Sequence, residues 1–189
     1  ISVADRVFWL GRYVERAENT ARIVRSMTAR VRSADEAELG CLIRLHGCLR
    51  SRHSKLPKAK NKRPTSLKFE QELISVIPDV KRTDSLAFTL SEVSRVGNSV
   101  RERLSADMMI LIGQLRESIP RDCDTQFLEY PAILNLCLEL LSAFSGMERE
   151  NTTRGLGWLF LSIGRRLERA IYLTRQLREI SRPLGEQDW

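Results

Sequence analysis

Residues 3–31 read VADRVFWLGRYVERAENTARIVRSMTARV. Val3, Val7, Leu10, Val14, Ala17, Ala21, Val24, Thr28 and Val31 fall in steps that alternate four and three, the heptad spacing of a helix that packs lengthwise on a neighbour at a shallow angle. No proline interrupts the run, and Ala17 and Ala21 leave room for close approach at mid-length, so the spacing predicts one long helix from about Ser2 to Arg32. The same steps return in Leu156, Phe160, Ile163, Leu167, Ala170, Thr174, Leu177 and Ser181, each 153 residues after its counterpart. Polar residues repeat at that offset too. Gly11-Arg12-Tyr13-Val14-Glu15-Arg16-Ala17 aligns with Gly164-Arg165-Arg166-Leu167-Glu168-Arg169-Ala170, with five of seven residues identical. This internal repeat predicts an all-α helical bundle in which a helix from about Leu156 to Arg182 is related to the first by an approximate two-fold axis.

A weaker copy lies between them. Asn19-Thr20-Ala21-Arg22 is echoed by Asn98-Ser99-Val100-Arg101, behind the apolar seam of Leu86, Val93, Val96 and Val100, and again by Asn151-Thr152-Thr153-Arg154. Shorter helices are expected over Glu36 to Arg52, over Leu67 to Ile77 before Pro78, from Asp84 or Ser85 to about Leu104, from Ser105 through Leu115 before Pro120, and from Thr125 to Phe144, bent or started at Pro131.

With 189 residues, 42% hydrophobic and 29% charged, the chain suits a single helical domain over 1–189 and not a disordered tail. The longest apolar run, Leu156 to Ile163, is eight residues, well short of the ~20 needed to span a bilayer; a cytoplasmic location without membrane contact is the expectation. The chain begins at Ile1 with neither methionine nor an apolar leader, which reads as a fragment of something longer. Its net charge of +7 is local, because nine of its 31 Lys and Arg and none of its acids lie between Leu39 and Phe69, leaving 22 bases against 24 acids elsewhere. That segment, with Pro57, Asn61 and Pro64, reads as a solvated basic linker at about 51–66. Binding of nucleic acid or another anion through residues 39–69 is the alternative.

Four cysteines show no disulfide or zinc spacing. Cys41, His46, Cys48 and His53 crowd into thirteen residues, but on one helix His46 lies about 140° around from Cys41. They read as core thiols and surface histidines, with no metal and no cofactor.

On the first helix Arg12, Glu15, Arg16 and Asn19 share a face opposite the seam. Within each motif Glu15 is expected to balance Arg12 and Glu168 to balance Arg165, which frees Arg16 and Arg169 for a carboxylate or phosphate. Phe8, Trp9 and Ile23 border the stripe, so the two motifs are expected to be enclosed and to converge. Glycine inside a helix costs about 1 kcal/mol against alanine, so Gly11 and Gly164 predict a close approach by a backbone or ligand. The candidate ligand or partner residues are Arg12, Glu15, Arg16, Asn19, Arg22, Asn98, Arg101, Arg165, Glu168 and Arg169. Catalytic residues are not predicted: there is no phosphate loop, no nucleophile motif and no histidine in either motif. Cations beside Glu15 and Glu168 favour their ionised forms.

The stretches Trp9 to Arg22 and Gly157 to Ala170 resemble the bacterial alpha-E family, a helical domain of unknown function with a Glu-Arg motif. The resemblance extends over Ser94 to Leu104 and is poor over Cys41 to Ser66. It implies a longer domain whose C-terminal portion is missing here. It also implies gene company with an ATP-grasp carboxylate-amine ligase, often with a transglutaminase-like protein, and hence an accessory role in peptide synthesis or modification. Three readings follow: a non-catalytic module that binds a partner or a peptide carboxylate, an enzyme that uses the Glu-Arg motifs, and a nucleic-acid binder.

Overall fold

The computed structural model describes residues 2–49, 66–120, 127–150 and 155–181. Among these the chain forms seven α-helices and no strand: α1 (Val3–Arg30), α2 (Glu36–Gly47), α3 (Ser66–Ser75), α4 (Leu86–Asn98), α5 (Ala106–Glu117), α6 (Tyr130–Glu150) and α7 (Leu156–Ser181). The basic linker lies outside the described residues apart from Ser66, as do His53, Cys123 and the Asn151–Arg154 tetrad.

Helix starts are set by side chains that satisfy the first free N–H groups. Ser2 accepts from the Asp5 N–H at 3.1 Å while Asp5 accepts from the Ser2 N–H at 3.2 Å, a capping box that opens α1. Asp35, Ser85 and Ser105 cap α2, α4 and α5 by accepting, one way only, from the N–H groups of Glu38, Phe88 and Met108. The middle helix stops at Asn98, earlier than its apolar steps predict, and a 3₁₀ turn over Arg101–Arg103 follows. There Asn98 donates to the Ser94 carbonyl and Ser99 to that of Val96, local bonds that compete with helix continuation. The third copy of the tetrad thus ends a helix instead of lying within one.

α1 packs on α4 and α6, and α5 closes the ring by packing on both of those. This four-helix ring holds the α1 seam: Leu10, Val14, Ala17, Ala21 and Val24 are completely buried. On the outer side of α1 lies α7, the most extensive helix contact among the described residues, with α2 against both. The seam of α7 does not share the fate of its counterpart. Ile163, which corresponds to Leu10, is 51% exposed, and Leu156, Leu167 and Leu177 are exposed as well. The long helices therefore meet through their Glu-Arg stripes, because the ring already occupies the seam of α1.

Residues Phe127–Glu150, a 3₁₀ turn and α6 together, are long and apolar enough by composition to cross a membrane, which run length did not reveal. Leu134, Cys137, Leu141 and Phe144 on this stretch are fully buried in the ring, while Leu128 and Leu136 are exposed.

Candidate functional site

The site starts from two glycines. A Cβ on Gly11 would collide with the Leu161 carbonyl and stand 3.2 Å from the Arg165 nitrogen; one on Gly164 would collide with the Phe8 carbonyl and stand 3.2 Å from the Arg12 nitrogen. These contacts are reciprocal under the 153-residue offset. Glycine here removes the side chain that would separate two backbones, and it brings the motif residues of each helix within reach of the other.

The motifs exchange partners across that junction. Arg12 and Arg16 donate from Nε to the two oxygens of Glu168, at 2.7 and 2.8 Å. Arg165 and Arg169 donate from Nε to the two oxygens of Glu15, at 3.1 and 2.6 Å. Glu15 is 1% exposed and Glu168 5%. The expected balance within each helix is corrected: each glutamate serves the arginines of the other helix, so Arg16 and Arg169 are engaged rather than free. Facing surfaces of two close helices offer charged groups better alignment than neighbours along one exposed face.

Two acids that no spacing had singled out complete the lattice. Arg165 also donates to Glu18 at 2.9 Å and, from α6, to Glu148 and Ser145, each at 2.8 Å. Glu18 holds Arg22 at 2.7 Å. The residue matching Glu18 in the repeat is Ile171, so the repeat gave no hint of it. Arg12 instead lies over the ring of Trp9 at 4.9 Å and that of Phe8 at 6.0 Å. Five arginines, Arg22 included, thus meet four carboxylates.

Burial pushes the Glu168 carboxyl up, but hydrogen bonds and charge from Arg16 and Arg12 outweigh it and hold its pKa below the ordinary carboxylate value. Burial pulls the Arg165 guanidinium down, and Glu148, Glu15 and Glu18 reverse this. A carboxylate held ionised suits a clamp better than a proton shuttle.

The other expected residues separate. Asn19 meets its own repeat counterpart, accepting through its carbonyl from Tyr172 at 3.3 Å, while its buried Nδ2 has no hydrogen-bond partner. Asn98 lies at the end of α4 and Arg101 in the exposed turn beyond; no hydrogen bond ties either to the lattice among the described residues. His46 is buried, edge-on to Phe69 at 5.6 Å, and Cys41 is exposed. Both placements reverse the expectation, because α2 turns His46 inward toward α3. Among the described residues no cluster of metal-binding side chains occurs.

Beside the lattice opens a cleft of about 230 Å³ lined by Arg16, Arg175 and Glu168, with Tyr13, Phe88 and Tyr172 among its walls. Arg16 keeps 34% of its side chain exposed there. Arg175 forms no ion pair or hydrogen bond with another described residue. Cys48 also lines the cleft, and burial lifts its thiol to about 11, which disfavours the thiolate at neutral pH.

Relatives at 26% identity are uncharacterized proteins from Mycobacterium bovis and from two strains of Mycobacterium tuberculosis; the alignment covers 98% of this chain and 23% of each relative, so the chain spans about a quarter of their length. No solved structure matches. The Alpha-E model, described as a predicted alpha-helical domain with a conserved ER motif, matches residues 2–188. Both Glu-Arg pairs of the lattice, Glu15-Arg16 and Glu168-Arg169, lie within that match, and the chain belongs to the Alpha-E family.

Proposed function

We propose that this domain is a non-catalytic accessory module that binds a peptide carboxylate and acts with an ATP-grasp carboxylate-amine ligase, in company with a transglutaminase-like protein, in the cytoplasm. The observation that carries the reading is the cleft. Arg16 is partly exposed and Arg175 is without an acidic partner among the described residues, and the two share a small space with aromatic walls. A guanidinium fork grips a carboxylate, and a hydrogen bond to a charged group is worth about 1.5–3 kcal/mol. The ligase association rests on the family resemblance.

The test is calorimetric titration of short peptides with free and with amidated C-termini, together with assay of the ligase with and without the domain. Free peptides are expected to bind and amidated ones to bind at least tenfold more weakly. Arg175→Ala should abolish the difference while the fold stays intact. Equal binding of both peptides would overturn the carboxylate assignment, and turnover of ATP or peptide by the domain alone would overturn the accessory role.

A further inference from the structure

α1 and α7 flank a second cleft, of about 300 Å³, and Arg22 and Arg169 both stand on its walls. Each is tied to a buried carboxylate by the same edge of its guanidinium. Arg169 donates from Nε and Nη2 to Glu15 at 2.6 and 3.0 Å, and Arg22 donates from Nε and Nη2 to Glu18 at 3.2 and 2.7 Å. A guanidinium has five donors in a planar fork, so the Nη1 side of both arginines is left uncommitted among the described residues. They are also the most exposed arginines of the lattice, with 56% and 57% of their side chains open against 34% or less for Arg12, Arg16 and Arg165.

We propose that this cleft is a second carboxylate subsite, separate from the one beside Arg16 and Arg175, and that it takes the acidic side chain of a peptide. Charge selects the carboxylate. Five arginines of the lattice face four glutamates and leave one positive charge over. One carboxylate evens that count, whereas a phosphate group, at about −1.5 to −2, overshoots it.

The surroundings agree with charge. Glu15 and Glu18, both buried, already hold the two guanidiniums in place, so little side-chain freedom is lost when a ligand arrives. Ile23 and Leu173 line the same cleft and suit the methylene stem of an acidic side chain. Ser26 and Gln176, also on its walls, make no side-chain hydrogen bond with a described residue and suit the amides of a peptide. Asn19 lines the cleft too, and its Nδ2 is buried without a partner, so turning that amide toward an incoming acceptor gives up no existing bond of the nitrogen. That the carboxylate is carried by a peptide rests on the reading of the first cleft; the subsite itself rests on the two uncommitted arginine edges.

The test follows NMR spectra of the ¹⁵N-labelled chain during titration with N-acetyl-glutamate amide, whose one carboxylate is a side chain, and with N-acetyl-glutamine amide as its neutral match. The glutamate probe is expected to shift the Nε–H signals of Arg22 and Arg169 and the backbone amide of Leu173, with saturation in the millimolar range, in wild type and in Arg175→Ala alike. The glutamine probe is expected to leave them in place. Read at Arg169 and Leu173, Arg22→Gln should weaken binding about tenfold, the loss of one charged hydrogen bond. Arg22→Lys keeps a positive charge facing Glu18 but not the fork, and should weaken binding as well. No shift at millimolar concentration, equal shifts from both probes, or an affinity unchanged in both Arg22 variants overturns the subsite. Tighter binding of inorganic phosphate than of the glutamate probe overturns the carboxylate assignment. Shifts that vanish in Arg175→Ala place the carboxylate in the first cleft and overturn the second. Equal binding of free and amidated peptides alongside the expected shifts removes the reading of the first cleft and leaves the subsite standing.

Discussion

At the scale of single residues, the exchange of Glu15 and Glu168 between helices explains why two arginines four residues apart can sit side by side in each motif. Each pair converges on one carboxylate of the opposite helix, so repulsion between the guanidiniums is offset without any acid from their own helix. The arrangement leaves a signature in pH. Because Glu168 ionises more readily in the folded chain than at its ordinary value, it stabilises the fold above that value, and the contribution fades as pH falls through the depressed one. Urea denaturation at pH 7 and pH 3 should show wild type losing stability with acid. Glu168→Gln should be less stable at pH 7 and lose less over the same interval. An identical acid loss in both proteins would assign the sensitivity to other carboxylates, Glu92 with Arg95 among them.

Among the elements, the junction of α1 and α7 depends on the backbones touching, and that is a matter of two absent side chains. A Cβ at Gly11 or Gly164 meets carbonyl groups that cannot swing aside, so Gly11→Ala should cost about 1–3 kcal/mol by overpacking, even though alanine favours the helix by about 1 kcal/mol. Gly146 in α6 and Gly113 in α5 have open space where a Cβ would stand. Gly146→Ala should therefore stabilise the chain by up to about 1 kcal/mol. Chemical denaturation of the two variants gives opposite signs if the close approach is what retains the glycine in α1.

Over the whole molecule, α1 serves two masters: its seam belongs to the four-helix ring and its stripe to α7. α7 has a comparable seam and no ring of its own among the described residues. Equivalent positions in the repeat therefore carry unequal weight. Leu10→Ala should destabilise the chain by about 2–5 kcal/mol, whereas Ile163→Ala should stay within about 0.5 kcal/mol of wild type. Matching losses at the two positions would mean that both seams are buried.

The all-helical class, the two long helices and the repeat of the Glu-Arg motif were legible from Val3 to Val31 and from Leu156 to Ser181, because an apolar step of three and four fixes a helix and the angular position of each residue about its axis. The glycines of the motifs likewise announced a close approach. Periodicity says nothing, however, about which neighbour occupies which side. The apolar border of the stripes had already pointed to their meeting, but only the fold decided that Glu15 answers to Arg165 and Arg169, that the seam of α7 stays outside, and that Glu18, Glu148 and Arg175 enter the site. Those contacts join residues far apart along the chain, and their geometry is set by the ring of α4, α5 and α6, which takes one face of α1 and leaves the other to α7.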